Sequence, residues 1–92
     1  MLYEWDEAKA EANRVKHGVF FSLIEGFDWE SAFLAEDNRH RYGEKRNQAI
    51  GYIGKRLYVC VYTRRGMVCR VISLRKANDR ERKRYEQEEK AR

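Results

Sequence analysis

The chain has 92 residues, 42% apolar content and a formal net charge of +5, from 20 Lys+Arg against 15 Asp+Glu. That length gives one small domain, 1–92, with a thin core and no room for a second. Two cysteines exclude a disulfide scaffold, and with two scattered histidines they lack the paired spacing of a structural zinc site.

Residues 2–5 read as a short strand. Asp6 caps a helix that runs to His17, with Glu7 in its first turn and Ala8, Ala12 and Val15 along one face. Lys16 and His17 fall in its last turn and Gly18 stops it. Ser22-Leu23-Ile24-Glu25 spells a capping box for a second, shorter helix carrying Leu23 and Phe27. Residues 32–36 form another strand, followed by the polar loop 37–44.

Three strands are then expected at 45–53, 57–63 and 67–74. Gly54-Lys55-Arg56 and Arg64-Arg65-Gly66 are the hairpin turns between them. In the middle strand Tyr58, Cys60 and Tyr62 point one way, and Leu57, Val59 and Val61 the other. Asn78-Asp79-Arg80-Glu81 opens a last helix over 78–92 whose apolar side chains of any size are Ala77 and Tyr85. With little to dock, that helix is expected to fray, swing or be held by a partner. The plan is α+β, in the order β-α-α-β-β-β-β-α. The sheet is small and antiparallel, with the helices grouped on one face.

Cys60 and Cys69 sit mid-strand and read as buried thiols. No secretory apolar segment and no long apolar run occur, which points to the cytoplasm and reduced thiols. The basic balance favours polyanions such as nucleic acid, or an acidic protein. The most informative stretch is Arg70-Val71-Ile72-Ser73-Leu74-Arg75-Lys76-Ala77. Cations fixed on a strand are rigidly held, which suits gripping phosphate.

Many motifs now fall in order. They are Trp5-Asp6, Lys9, Asn13, Lys16-His17-Gly18, Phe20 or Phe21, Asp37, Arg39, Gly43-Glu44, Arg46, Gly51 and Val61-Tyr62-Thr63. Arg70-Val71-Ile72-Ser73, Arg75-Lys76-Ala77 and Tyr85 complete the set. Together they resemble the BrnT toxin family over nearly the whole chain. Leu74 departs from the pattern, standing where the family more often has a small residue. The resemblance implies a ribonuclease toxin of a type II toxin–antitoxin pair with a RelE-like fold. It implies no cofactor. It also implies a BrnA-like antitoxin that dimerises through a ribbon-helix-helix DNA-binding domain, holds two toxins and represses its own promoter.

RNA is cut without metal when its 2′-hydroxyl attacks the adjacent phosphate. The enzyme then supplies a base, an acid and cations for the equatorial oxygens. Arginine suits the last role, because its fork meets two phosphate oxygens and stays charged. The first choices are Arg70 and Arg75, with Lys76 and the turn residue Arg64 assisting. Five positions separate Arg70 from Arg75, so a regular strand puts them on opposite faces. Either a bulge or the strand's end re-aims one, or only one is in the site; Arg70 is otherwise a structural arginine paired with a carboxylate.

His17 is a general-base candidate, or else a cation completing the helix C-terminus. His40 reads as a bystander. Glu44, beside several cations, reads as an ion-pair partner rather than a base. Arg39, Arg41, Arg46 and Tyr42 form either an RNA-binding rim or a solvated lead-in to the hairpin. Tyr58 and Tyr62 either stack bases on an open sheet or lie under a helix. Two rivals to the enzyme remain: a basic nucleic-acid-binding module without catalysis, and a protein-interaction domain. Cations at strand ends beside a histidine favour the enzyme.

Overall fold

The computed structural model describes residues 1–37 and 44–91. The chain runs β1 (Leu2–Glu4), α1 (Glu7–His17), a 3₁₀ helix (Phe21–Gly26), β2 (Phe33–Glu36), β3 (Asn47–Ile53), β4 (Arg56–Arg65), β5 (Val68–Lys76) and α2 (Asp79–Lys90). The five strands form one sheet in the order β1-β5-β4-β3-β2.

α1 follows from its caps. The Asp6 carboxylate accepts from the Lys9 N–H at 3.1 Å, and Gly18 ends the helix at φ 70°. The second helix corrects the expected capping box. Phe20, not Ser22, precedes it, and no side chain caps it. Its apolar residues decide the form. Phe21, Ile24 and Phe27 recur every third position, and a turn of three residues stacks them on one side. Ile24 is fully buried, whereas Leu23 is 41% exposed.

β2 to β5 make the antiparallel meander. β1 instead joins β5 in parallel, with Glu4 beside Arg70, so the sheet is mixed rather than antiparallel. Gly54 (φ 62°) and Gly66 (φ 61°) supply the left-handed positions of two tight hairpins. The second hairpin turns at Gly66-Met67. Arg64 and Arg65 therefore lie on β4, not in the turn.

The sheet is covered on both faces. On one, Ala49, Tyr58, Cys60, Tyr62, Cys69, Val71 and Leu74 pack beneath Val19, Phe21, Ile24 and Phe27. On the other, Ile50, Leu57, Val59 and Ala77 surround Tyr85 of α2. α2 thus crosses to the face opposite the 3₁₀ helix, correcting the expectation that all helices share one face. One aromatic anchors it. Tyr85 is 1% exposed, meets Tyr52 edge-on at 5.6 Å and donates from its hydroxyl to the Ser31 carbonyl at 3.2 Å. Arg84 lies over the Phe33 ring, 4.9 Å from its centroid. Among the described residues, no helix is long and apolar enough to cross a membrane.

Candidate active site

β5 is interrupted once. Val61 pairs with Ser73 and Tyr62 with Val71, which leaves Ile72 without a partner across the ladder. This bulge shifts the alternation by one. Cys69 and Val71 face the 3₁₀-helix side, and so does Leu74, three residues on. Arg70 lies opposite Thr63 and Arg75 opposite Val59, both odd positions of β4. The bulge therefore puts Arg70 and Arg75 on the same face, where a regular strand would separate them.

Sharing a face does not make them one site. Arg70 donates to Glu4 at 2.6 Å. Next to it, Arg65 reaches Glu44 at 2.5 Å and Glu4 at 3.5 Å. The Arg65 hydrogen bond, followed by the charges of Arg65, Arg70 and Arg46, holds the Glu44 carboxyl below its ordinary value. Glu44 is thus the pairing residue its neighbourhood suggests. Arg75 instead meets Glu81 of α2 through both nitrogens, at 2.8 and 2.7 Å.

The cleft lies between α1 and β5. On α1, Lys9, Ala12, Asn13, Lys16 and His17 share one face through their three- and four-residue spacing. With Ile72 and Ser73 at the bulge they line an open hollow of about 290 Å³. Asn13 holds the two walls together. Its amide donates to the Leu74 carbonyl at 2.7 Å and accepts from the Leu74 N–H at 3.2 Å. Ala12 leaves room between the lysines.

His17 has its pKa lowered, first by burial, then by the nearby positive charges of Lys16 and Arg75. A cation completing a helix end would show the opposite shift. The imidazole is therefore neutral at neutral pH and able to accept a proton. The arrangement joins a neutral base to two lysine ammoniums, a serine hydroxyl and, within Coulombic reach, an arginine. It suits an anionic ester with an ionisable hydroxyl beside it.

His17 lines the hollow, and Arg75 reaches it through its charge without lining it. Arg70 and the half-buried Arg46 belong with the Glu4–Arg65–Glu44 network. Arg64 pairs across the ladder with Cys69 and lies on the opposite sheet face from Arg70. Lys76, exposed and opposite Tyr58, also faces away from Arg75. Tyr58 and Tyr62 are covered, at 9% and 4% exposure, and offer no stacking surface. Arg39, His40, Arg41 and Tyr42 lie outside the described residues. Sequence reasoning missed Lys9, Lys16 and Ser73 as cleft residues. The signal was the polar stripe at 9, 13, 16 and 17, set beside the apolar spacing at 8, 12 and 15.

A family model described as "Ribonuclease toxin, BrnT, of type II toxin-antitoxin system" matches residues 5–81. No curated protein sequence matches the chain. Among solved structures, it is similar to the 1.1 Å crystal structure of the Brucella abortus ribonuclease toxin BrnT. The two share 28% identity with a TM-score of 0.65, over 86% of this chain and 100% of that one.

Proposed function

The chain belongs to the BrnT family of ribonuclease toxins of type II toxin–antitoxin systems, and from that premise we propose that it cuts RNA without metal in the cleft between α1 and β5. The observation that carries this reading is His17 seated beside Lys9, Lys16 and Ser73, with Arg75 close enough to depress its pKa.

Neutral His17 takes the proton of a ribose 2′-hydroxyl. The 2′ oxygen bonds to the adjacent phosphorus, and the bond from phosphorus to the 5′ oxygen breaks. A 2′,3′-cyclic phosphate and a 5′-hydroxyl result. Lys9 and Lys16 offer ammonium protons to the leaving oxygen, and Arg75 steadies charge on the equatorial oxygens. Removing a donor of that kind costs about 3 kcal/mol of transition-state stabilisation. Arg70, with Arg65, serves the sheet margin as a structural arginine and an outer RNA contact. Arg64 and Lys76, on the other face, add to the field that draws in the polyanion. Arg39, Arg41, Arg46 and Tyr42 extend the RNA-binding surface.

The fold is read as RelE-like and the compartment as the cytoplasm. Cleaving messenger RNA there would stop translation and growth. The protein partner of a type II toxin is an antitoxin. Here it is taken to be a BrnA-like ribbon-helix-helix dimer that carries two toxins and binds promoter DNA itself.

Purified, folded protein incubated with single-stranded RNA in EDTA is expected to give fragments ending in cyclic phosphate. Intact RNA would defeat the metal-free reading. RNA that is bound in a strongly salt-dependent way but never cut would support the non-catalytic binding module instead.

A further inference from the structure

We infer that Glu81 is a positioning residue for the cleavage reaction: anchored at the start of α2, its carboxylate fixes the Arg75 guanidinium beside the His17 cleft. The inference rests on the reading of Arg75 as the cation that meets the phosphate.

Two features separate this ion pair from the others among the described residues. The first is a two-point contact combined with burial. Arg75 Nη1 and Nη2 donate to Glu81 Oε1 and Oε2 at 2.8 and 2.7 Å. The side chains are only 26% and 16% exposed, whereas the other two-point pairs, Arg14–Glu11 and Arg65–Glu44, lie open to water. The helix-surface pairs Arg14–Glu11 and Arg82–Glu86 are far more open to water and contribute little. A fork held at two points loses its freedom to rotate, which a single contact does not achieve.

The second feature is that Glu81 is itself held. Its Oε1 accepts from the Asn78 N–H at 2.9 Å, and its own N–H donates to the Asn78 side chain at 2.9 Å. This reciprocal box opens α2. α2 is in turn fixed to the sheet by buried Tyr85. A continuous line runs from the core through Tyr85, α2, the capping box and Glu81 to Arg75, which lies two positions along β5 from the cleft residue Ser73 on the same sheet face and reaches His17 through its charge. An arginine side chain is long and flexible. Tied in this way, it meets an incoming phosphate in one orientation, and a misplacement of about 1 Å is enough to cost about 100-fold in rate.

The capping box allows the positioning role to be separated from the folding role, because glutamine is accepted at the same box position. Glu81→Gln keeps the helix start but removes the charged two-point hold on Arg75. The test measures cleavage of a fluorescent single-stranded RNA by wild type, Glu81→Gln, Arg75→Ala and the double variant, with thermal unfolding of each. Glu81→Gln is expected to lower kcat about 10- to 100-fold while KM and Tm stay close to wild type. In the Arg75→Ala background it is expected to have no further effect, because its influence passes through Arg75. Asn78→Ala supplies the folding control. It weakens the helix start and lowers Tm but leaves the Glu81–Arg75 pair, so its kcat should remain near wild type.

Wild-type or faster cleavage by Glu81→Gln, with Arg75→Ala slow, would overturn the role of Glu81 alone. A faster rate would mark the carboxylate as a competitor of the phosphate. An equal further loss in the Arg75→Ala background would also overturn it. Full activity of Arg75→Ala would remove Arg75 from the site, and Glu81 with it.

Discussion

The Asn13 side chain pairs with the Leu74 backbone as a neighbouring strand would. It donates to the carbonyl and accepts from the N–H of the same residue, and it also donates to the Val19 carbonyl at 3.0 Å. The reason is topological. β1 ends at Glu4, beside Arg70, so β5 continues past it with an unpaired edge. One buried amide closes that edge and docks α1 onto it. Asn13→Ala would leave the Leu74 N–H and carbonyl without those partners. It is expected to lower stability by about 1–3 kcal/mol, read as a shift of the urea midpoint. Asn13→Asp should cost more, since a carboxylate cannot donate to either carbonyl and would be buried with its charge. An unchanged midpoint for both variants would show that the amide does not carry the edge.

The two thiols are expected to be chemically silent in the folded protein. Burial pushes the Cys69 thiol up to about 11, partly offset by the nearby charge of Arg64. Burial raises Cys60 as well. Neither offers thiolate at neutral pH. A thiol reagent at pH 7 should therefore label neither residue until denaturant is added, and labelling should then follow the unfolding curve. Rapid labelling of native protein would contradict this placement.

Local signals were legible wherever one residue decides a local shape. Asp6 and Gly18 bound α1, the glycines mark both hairpins, and strict alternation over 57–62 gave the facing of β4. A bulge was one of the alternatives that the spacing of Arg70 and Arg75 left open, but its place at Ile72 was not visible, because Ile72 and Ser73 fit a regular strand equally well and no glycine marks the break. The parallel pairing of β1 was hidden for a similar reason, since three residues carry no signal of direction. α2 looked adrift because only Tyr85 is large and apolar. The cleft escaped notice because lysines on a helix ordinarily point to water, and only β5 beneath them makes a site. The reciprocal box at Asn78 and Glu81 was readable, but its second use, holding Arg75, depends on a strand end that only the fold brings near.

Gly51 makes a packing prediction. A Cβ built there would stand 2.7 Å from the Phe27 ring and 3.1 Å from the Ala32 Cβ. The 3₁₀ helix places Phe27 directly against the β3 backbone, so only a hydrogen fits. Gly51→Ala is expected to destabilise by about 1–3 kcal/mol through overpacking. Gly54→Ala supplies a contrast. Nothing crowds that position, and its cost would come from the left-handed φ of 62° alone. The two variants should therefore differ in one measurable way. Truncating Phe27 should relieve the Gly51→Ala penalty and leave the Gly54→Ala penalty untouched. If the Phe27 truncation adds to both penalties equally, the close approach at Gly51 is not what limits that position.

The pH dependence of cleavage follows from the direction of the His17 shift. Its pKa is lowered from the ordinary 6.5, chiefly by burial and further by Lys16 and Arg75. The base form is the neutral imidazole, so activity rises with pH as His17 loses its proton. Because the folded pKa is depressed, that rise should lie below 6.5 and the rate should be flat through neutrality. Lys16→Ala or Arg75→Ala removes a like charge, so the His17 pKa should climb and the acid limb should move to higher pH. Burial, the largest cause, remains in both variants. The shift is best followed by NMR titration of the His17 ring, which reads the group even where cleavage has become too slow to assay. His17→Ala should lose the acid limb together with about 100- to 10,000-fold in rate. An acid limb that survives in His17→Ala would assign the base to another group. A ring pKa that stays fixed in Arg75→Ala would place Arg75 too far from the cleft to act there.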